Sequence, residues 1–199
     1  MVERTAGKII VLNGASSAGK TSILEALQAS DLPGLEGPYL NAGIDKFIWM
    51  LPDRYLERPL WDDVLGLATQ AGATGRRLFS GMHQAIAALA RAGNHVVADH
   101  VLVEAEWVRE CARLFAGLSA YLIGIRCPLP VLEQRERARK NRTLGQARAQ
   151  YELVHAYCLY DLELDTAQLS PQECVGQIQQ LLQQGQPPEA FQRLRERFQ

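Results

Sequence analysis

The sequence has no excess of charge of either sign, since 21 Lys and Arg residues face 22 Asp and Glu residues, a formal net charge of −1 over 199 residues. No global positive field therefore draws the chain onto nucleic acid or anionic lipid. Long apolar runs are also missing: none approaches the ~18–20 residues that cross a bilayer. The first residues lead straight into a strand-like run without a signal-peptide core. These absences argue against nucleic-acid and membrane partners, and we expect a cytoplasmic location.

Cysteine and lysine are both scarce. No two of the four cysteines lie within four residues of each other, which excludes zinc-knuckle and Cys-x-x-Cys redox spacing. A chain without an export signal keeps its thiols reduced, so we expect buried, inert thiols. Lysine supplies only 4 of the 21 basic residues. A single well-placed lysine is therefore worth examining.

Strand-like and helix-like segments alternate along the chain. Short apolar runs predict strands at 8–13, 38–43, 95–98, 119–125 and 162–164. Apolar residues at helical spacing predict helices at 20–30, 45–50, 73–92, 104–116, 129–140, 146–157, 171–182 and 189–198. Ser170 is the predicted N-cap of the helix at 171–182. This alternation predicts an α/β fold of three layers, a mostly parallel sheet with helices on both faces. We expect one domain over residues 1–184 and a polar C-terminal helix extension over 185–199.

A glycine-rich loop follows the first predicted strand. The pattern G-x-x-x-x-G-K-[ST] is matched at every fixed position by Gly14, Ala15, Ser16, Ser17, Ala18, Gly19, Lys20 and Thr21. Glycines let backbone N–H groups surround a phosphate, and the next helix adds its positive N-terminal end. Lys20 would reach the β- and γ-phosphates, and Thr21 Oγ would bind Mg²⁺. The flanking strand and helix favour nucleotide binding over a turn that binds nothing.

Two acidic residues follow predicted strands, so both are expected at the carboxyl edge of the sheet, where ligands bind in open α/β folds. Asp99 would hold Mg²⁺ or contact the substrate, with a helix cap as the alternative. Asp45 would accept the proton of a hydroxyl that attacks a γ-phosphate, with an N-cap as the alternative. His100 is interpreted as a packed or solvent-facing residue rather than a base.

Arginines crowd into residues 135–148. Arg135, Arg139 and Arg142 recur at i, i+4 and i+7, which predicts one shared helical face. Such a face, as part of a lid over about 133–148, would stabilise charge during phosphoryl transfer and exclude water. A solvated charged face is the alternative.

Aromatic residues cluster in the irregular region after Asp45. Prolines and the lack of periodicity favour a partly exposed wall for an organic substrate, with ordinary core packing as the alternative. Phe47 and Trp49 are the predicted substrate-binding residues, and Tyr55 and Trp61 belong to the same cluster.

These motifs together resemble the chloramphenicol phosphotransferase family. The resemblance runs from about residue 8 to about residue 182 and rests on the phosphate loop with its strand, Gly43-Ile-Asp45, Val97-Ala-Asp99, Gly124-Ile-Arg-Cys127, the arginines of 135–142, and Tyr160–Thr166. It implies a P-loop kinase fold and transfer of the γ-phosphate of ATP, with Mg²⁺, to a hydroxyl of a small molecule. Chloramphenicol or a related antibiotic is the leading acceptor. The family's proposed general base stands at the position of Asp45, and the matching arginines imply a closing lid.

Two other functions remain open at this point. One is a kinase of another acceptor, such as a metabolic alcohol or a nucleotide-sugar of the zeta-toxin type. The other is a non-catalytic nucleotide-binding switch, although the guanine-reading Asn-Lys-x-Asp motif is absent.

Overall fold

The computed structural model describes residues 5–30, 37–57, 60, 64, 71–139 and 144–199. The sheet has the strand order β2-β3-β1-β4-β5, and every pairing in it is parallel, which confirms the predicted sheet. The strands are β1 (Ile9–Asn13), β2 (Tyr39–Asn41), β3 (His95–His100), β4 (Ala120–Arg126) and β5 (Leu162–Asp165).

The central strand β1 explains the apolar run at the start of the chain. All five of its residues are buried, because β3 and β4 flank it and helices cover both faces. A strand in this environment carries a continuous apolar run instead of an alternating one. Each fully buried Ile or Leu contributes about 1.5–3 kcal/mol through apolar burial. The register pairs Asn13 with His100 and with Gly124, so the carboxyl ends of β1, β3 and β4 meet at one edge.

The helices form two layers around this sheet. They are α1 (Lys20–Gln28), α2 (Ile44–Ile48), α3 (Ala73–Arg91), α4 (Ala105–Leu114), α5 (Leu129–Ala138), α6 (Gln146–Tyr151), α7 (Leu153–Ala156), α8 (Pro171–Gln183) and α9 (Ala190–Arg197), with a 3-10 turn at Asp53–Tyr55. Helices α1 and α8 pack together, and α3, α4 and α9 pack as a second group. The predicted cap of α8 is confirmed: Ser170 and Glu173 form a capping box. Among the helices in the described ranges, none has the length and apolar character that a bilayer crossing requires.

Three predicted boundaries were wrong in ways that affect the site. Strand β3 continues to His100, so Asp99 belongs to the strand and does not follow it. Helix α5 stops at Ala138, because Arg139 takes an extended conformation with φ −89° and ψ 110°. The helix predicted at 146–157 is two short helices, α6 and α7, that meet at Glu152.

The C-terminal helix α9 packs on the domain. Ala190, Phe191 and Leu194 are buried in the same core as the sheet, and the rings of Phe191 and Phe115 meet edge to face at 5.2 Å. Asp161 holds the start of this segment, since its carboxylate accepts the N–H groups of Glu189 and Ala190 at 2.8 and 2.9 Å. A helix that is polar in composition thus presents one apolar stripe to the core. A domain boundary at 184 stays a prediction.

Candidate active site

The phosphate loop, residues 14–19, joins the buried end of β1 to the start of α1. Its backbone passes through two left-handed residues, Ser17 (φ 64°) and Gly19 (φ 89°). Glycine takes this conformation without steric cost, whereas a residue with a Cβ is strained by about 1–2 kcal/mol. The N–H groups in the first turn of α1 have no intrahelical partner. Loop and helix together therefore form a concave surface suited to an anion.

Lys20, the lysine singled out from the sequence, lies folded against this loop. Its side chain is buried, and Nζ donates to the carbonyl oxygens of Gly14 (2.7 Å) and Ala15 (2.8 Å). These bonds keep a charged group satisfied inside the protein. They also keep the ammonium at the mouth of the loop, within the region where phosphate would lie.

Two loop hydroxyls test whether a phosphate group fits. Ser16 Oγ and Ser17 Oγ are buried, and neither has a hydrogen-bond partner among the described residues. Nearly all buried polar atoms in native proteins are paired, so orphaned hydroxyls call for an explanation. A ligand with several oxygen acceptors supplies one, since both serines belong to the residues that line the cavity above the loop. The residues present therefore fit a nucleotide phosphate.

The candidate metal residues lie beside each other at the same cavity. Thr21 donates its hydroxyl to Asp99 Oδ2 at 3.2 Å. Burial raises the pKa of Asp99; the nearby Lys20 ammonium lowers it, and the Asp45 carboxylate raises it. Hydroxyl and carboxylate oxygens suit Mg²⁺, which usually keeps several waters and phosphate oxygens as its other ligands. In the described part of the chain, no three His, Cys, Asp or Glu residues group as a metal site. Thr21 and Asp99 therefore fit Mg²⁺ only when waters and phosphate oxygens supply its other ligands.

Asp45 lies in the first turn of α2 and lines the same cavity as Asp99 and residues 16–21. The N-cap of α2 is Gly43, so the capping alternative for Asp45 is wrong. Asp99 is not a helix cap either, because Glu104 caps the next helix. A Cβ built on Gly43 would lie 1.9 Å from Asp99 Oδ1, so only glycine allows α2 to approach β3 this closely. The catalytic role of Asp45 itself stays a prediction.

The arginine prediction needs correction. Because α5 ends at Ala138, Arg135 and Arg139 do not continue one helical face, and Arg142 lies outside the described residues. Arg139 lines the cavity that holds Asp45. Arg135 instead lines a second cavity beside Gly19, and it donates to Thr166 Oγ1 (3.1 Å) and to the Thr166 carbonyl (2.7 Å). Arg139 also lines this second cavity, so the two arginines share it, and of the two only Arg139 lines the cavity of Asp45.

The predicted substrate-binding aromatics lie apart from this cavity wall. Phe47 is partly buried against the core, and Trp49 is 69% exposed. The apolar cavity wall comes instead from Ile44, Ile48 and Val101. Trp49 is the C-cap of α2, one turn beyond Asp45, and its contact with an acceptor stays a prediction. Trp61 lies outside the described residues.

Three further site residues escaped the sequence reasoning. Gln146 and Gln150, one turn apart on α6, line the same cavity as Asp45. Glu136 is buried, and its carboxylate accepts the N–H groups of Gly145 and Ala147, both at 2.8 Å. Nothing in a charged, weakly periodic segment distinguishes a buried Glu or Gln from a solvated one, so the sequence carried no signal for them.

Asn13, the last residue of β1, holds together the segments around the loop. Its amide nitrogen donates to the carbonyl of Val154 (2.7 Å) and to Tyr160 Oη (2.8 Å), and its oxygen accepts the N–H of Leu102 (2.8 Å). His100 is buried on the other side of the strand, where its Nε2 lies 2.8 Å from Nε2 of His83. His100 was predicted to be packed or solvent-facing rather than a base, and of the first two the structure shows the packed one.

A parallel sheet in this strand order, a phosphate loop after its central strand, and acids at the carboxyl edge define a P-loop kinase. Residues 7–183 match the model of the chloramphenicol phosphotransferase-like protein family, and the chain belongs to that family. It is therefore a phosphotransferase, a small-molecule kinase.

Individual relatives agree with this classification. Two proteins of Mycobacterium tuberculosis, from strains CDC 1551 and H37Rv, are described as candidate O-phosphotransferases. Each is 35% identical to this chain over 205 residues, and the match covers 96% of this chain and 89% of the relative. Among solved structures, the M. tuberculosis APS kinase CysC with AMPPNP and APS has a TM-score of 0.61 at 19% identity, covering 89% of this chain and 98% of the other. A sugar kinase from Janibacter sp. HTCC2649 has a TM-score of 0.64 at 19% identity, covering 89% and 95%. These two structures share the fold.

Proposed function

We propose that this protein transfers the γ-phosphate of ATP to a hydroxyl of chloramphenicol or a related antibiotic, and so confers antibiotic resistance. The observation that carries the proposal is one shared cavity: the phosphate loop, Asp99 and Asp45 all line it. A kinase needs a phosphate site and a proton acceptor within reach of one acceptor hydroxyl. The family match supports chloramphenicol as the first acceptor to test.

Each side chain then has a role set by its place. Lys20 and the loop N–H groups bind the outer phosphates. Asp45, on the acceptor side of the cavity, takes the proton of the hydroxyl as its oxygen attacks phosphorus. Arg139 faces the same space and offsets the charge of the group in transfer. Thr21 and Asp99 would hold Mg²⁺, which supplies further neutralisation of the phosphate oxygens.

The nucleotide base has a separate place. The second cavity adjoins the first, since Ser17, Gly19 and Arg139 line both. It is not lined by Asp45, and its further lining includes Ser22, Arg135, Thr166 and Leu169. A triphosphate that runs along the loop with its terminal group near Asp45 directs its base into this space. Arg135 has a planar guanidinium fixed by two bonds to Thr166, which suits stacking on a base.

A mass-spectrometric turnover assay tests the proposal. Purified protein, ATP and Mg²⁺ are incubated with chloramphenicol and a panel of hydroxylated antibiotics, sugars and metabolites, with Lys20→Ala as the blank. Phosphate gained by chloramphenicol, and absent from the blank, is the expected result. Phosphate gained only by another compound would refute chloramphenicol and keep the kinase. ATP binding without transfer to any compound would favour the switch alternative.

The role of Asp45 is tested with one matched pair of variants. Asp45→Asn should lower turnover by about 10²–10⁴-fold, the usual contribution of a general base, with little change in ATP affinity. Asp53→Asn is the control, because Asp53 is an exposed carboxylate nearby in the chain and does not line the cavity. Full turnover in Asp45→Asn would remove Asp45 as the base.

A further inference from the structure

Helix α6 reaches the phosphate loop through one buried side chain. Gln150 is 2% exposed, and its Oε1 accepts the backbone N–H of Ser16 at 2.7 Å. Ser16 belongs to the loop, whereas Gln150 lies 134 residues further along the chain. The bond therefore links the loop to the segment that follows the lid arginines.

The peptide group that Gln150 holds is the same one that contacts Lys20. The N–H of this group belongs to Ser16 and its C=O to Ala15, and that carbonyl accepts a bond from Lys20 Nζ at 2.8 Å. A peptide unit is planar, so its N–H and C=O turn together. Fixing the N–H on Gln150 therefore fixes the direction of the carbonyl that faces the ammonium of Lys20.

The helix that carries Gln150 is itself held in place by a side chain of α5. Glu136 on α5 accepts the N–H groups of Gly145 and Ala147, at the start of α6. Gln150 lies one turn further along this short helix. The position of its amide is thus set by two packed helices, not by a mobile loop.

We propose that Gln150 is a positioning residue that orients Lys20 for the β- and γ-phosphates through the Ala15–Ser16 peptide. The proposal rests on the proposed function only in taking a nucleoside triphosphate as the ligand of the loop. When the Gln150 acceptor is lost, the Ala15–Ser16 peptide is free to rotate. The ammonium of Lys20 then no longer has the Ala15 carbonyl as a fixed partner and loses its position for the phosphates. We expect ATP to bind about tenfold more weakly in Gln150→Met, the scale of one buried hydrogen bond.

A double-mutant cycle with ATP binding measured by calorimetry tests this without any acceptor. The four proteins are wild type, Gln150→Met, Lys20→Met and the double variant. If Gln150 acts through Lys20, its substitution has no further effect once Lys20 is absent, whereas a purely structural role gives the same loss in both backgrounds. Gln192→Met is the matched control, since Gln192 is exposed on α9, and it should bind ATP as wild type does.

A second variant guards against a folding defect in the first. Gln150→Asn keeps a buried amide but ends one methylene short of Ser16, so it should show the same dependence on Lys20. Equal losses with and without Lys20, or tighter ATP binding in Gln150→Met, would overturn the proposal. Absence of ATP binding in the wild type would instead refute the proposed function.

Discussion

Glu136 offers the sharpest test of how the α6 wall of the cavity that holds Asp45 is built. Glu136 is 3% exposed, and its carboxylate accepts two backbone N–H groups, those of Gly145 and Ala147, each at 2.8 Å. Both N–H groups belong to the start of α6, where no intrahelical partner exists for them. Substitution of Glu136 therefore leaves the buried N–H of Ala147 unpaired, whereas the N–H of Gly145, an exposed residue, can bond to water.

The expected magnitude follows from the two bonds. A buried donor left unsatisfied costs about 1–3 kcal/mol, and only the donor of Ala147 is buried, so Glu136→Ala should lower the free energy of unfolding by about 1–3 kcal/mol. Glu136→Gln keeps one oxygen acceptor and turns an NH₂ group toward the other N–H, so about half of that loss is expected. With a urea m-value of about 2 kcal/mol/M, the unfolding midpoint of Glu136→Ala should fall by about 0.5–1.5 M.

Urea unfolding followed by circular dichroism provides the measurement. Glu196→Gln is the matched control, because Glu196 is an exposed carboxylate on α9, and its midpoint should stay within experimental error of wild type. A wild-type midpoint in both Glu136 variants would show that the carboxylate does not hold α6, and would weaken the case for Gln150 as well.

Two more predictions concern ionisation. Burial raises the pKa of Asp99 although the Lys20 ammonium lowers it, so the charged carboxylate destabilises the folded protein at neutral pH. Asp99→Asn should therefore raise Tm by roughly 2–4 °C while turnover falls. A lower Tm in this variant would contradict the reasoning. Burial, aided by Arg126, lowers the pKa of His155 from 6.5 to about 4. As pH falls from 6.5 toward 4, the unfolded chain gains a proton that the folded protein does not, so stability is lost. Between pH 7.5 and 5, His155→Gln should lose less unfolding free energy than wild type, and equal losses would refute the reading.

The phosphate loop and the sheet were predictable because their signals are local. A buried central strand must be apolar along its whole length, as Ile9–Leu12 is, and a loop that surrounds phosphate needs glycine at its left-handed turn, as at Gly19. Asp45 and Asp99 followed from the same logic, since parallel strands end at one edge. These features depend on backbone geometry that adjacent residues dictate.

The predicted lid is a segment in which local sequence patterns did not predict the structure. Arg135 and Arg139 share a helical spacing, yet the extended conformation of Arg139 ends the helix, and of the two only Arg139 lines the cavity that holds Asp45. Arg135 is held instead by its bonds to Thr166, 31 residues further along the chain, and the spacing cannot encode such a partner.

The sequence by itself determined a P-loop kinase: the strand, the loop, the lysine and the acids at the sheet edge are all fixed by short-range patterns. Only the tertiary structure decided which polar residues of 133–150 serve the site. Gln150 is buried and bonded because α6 meets the phosphate loop, 134 residues away in the chain, and Glu136 because the start of α6 packs against α5. Burial of a polar side chain depends on partners brought together by the whole fold, and no run of neighbouring residues records it.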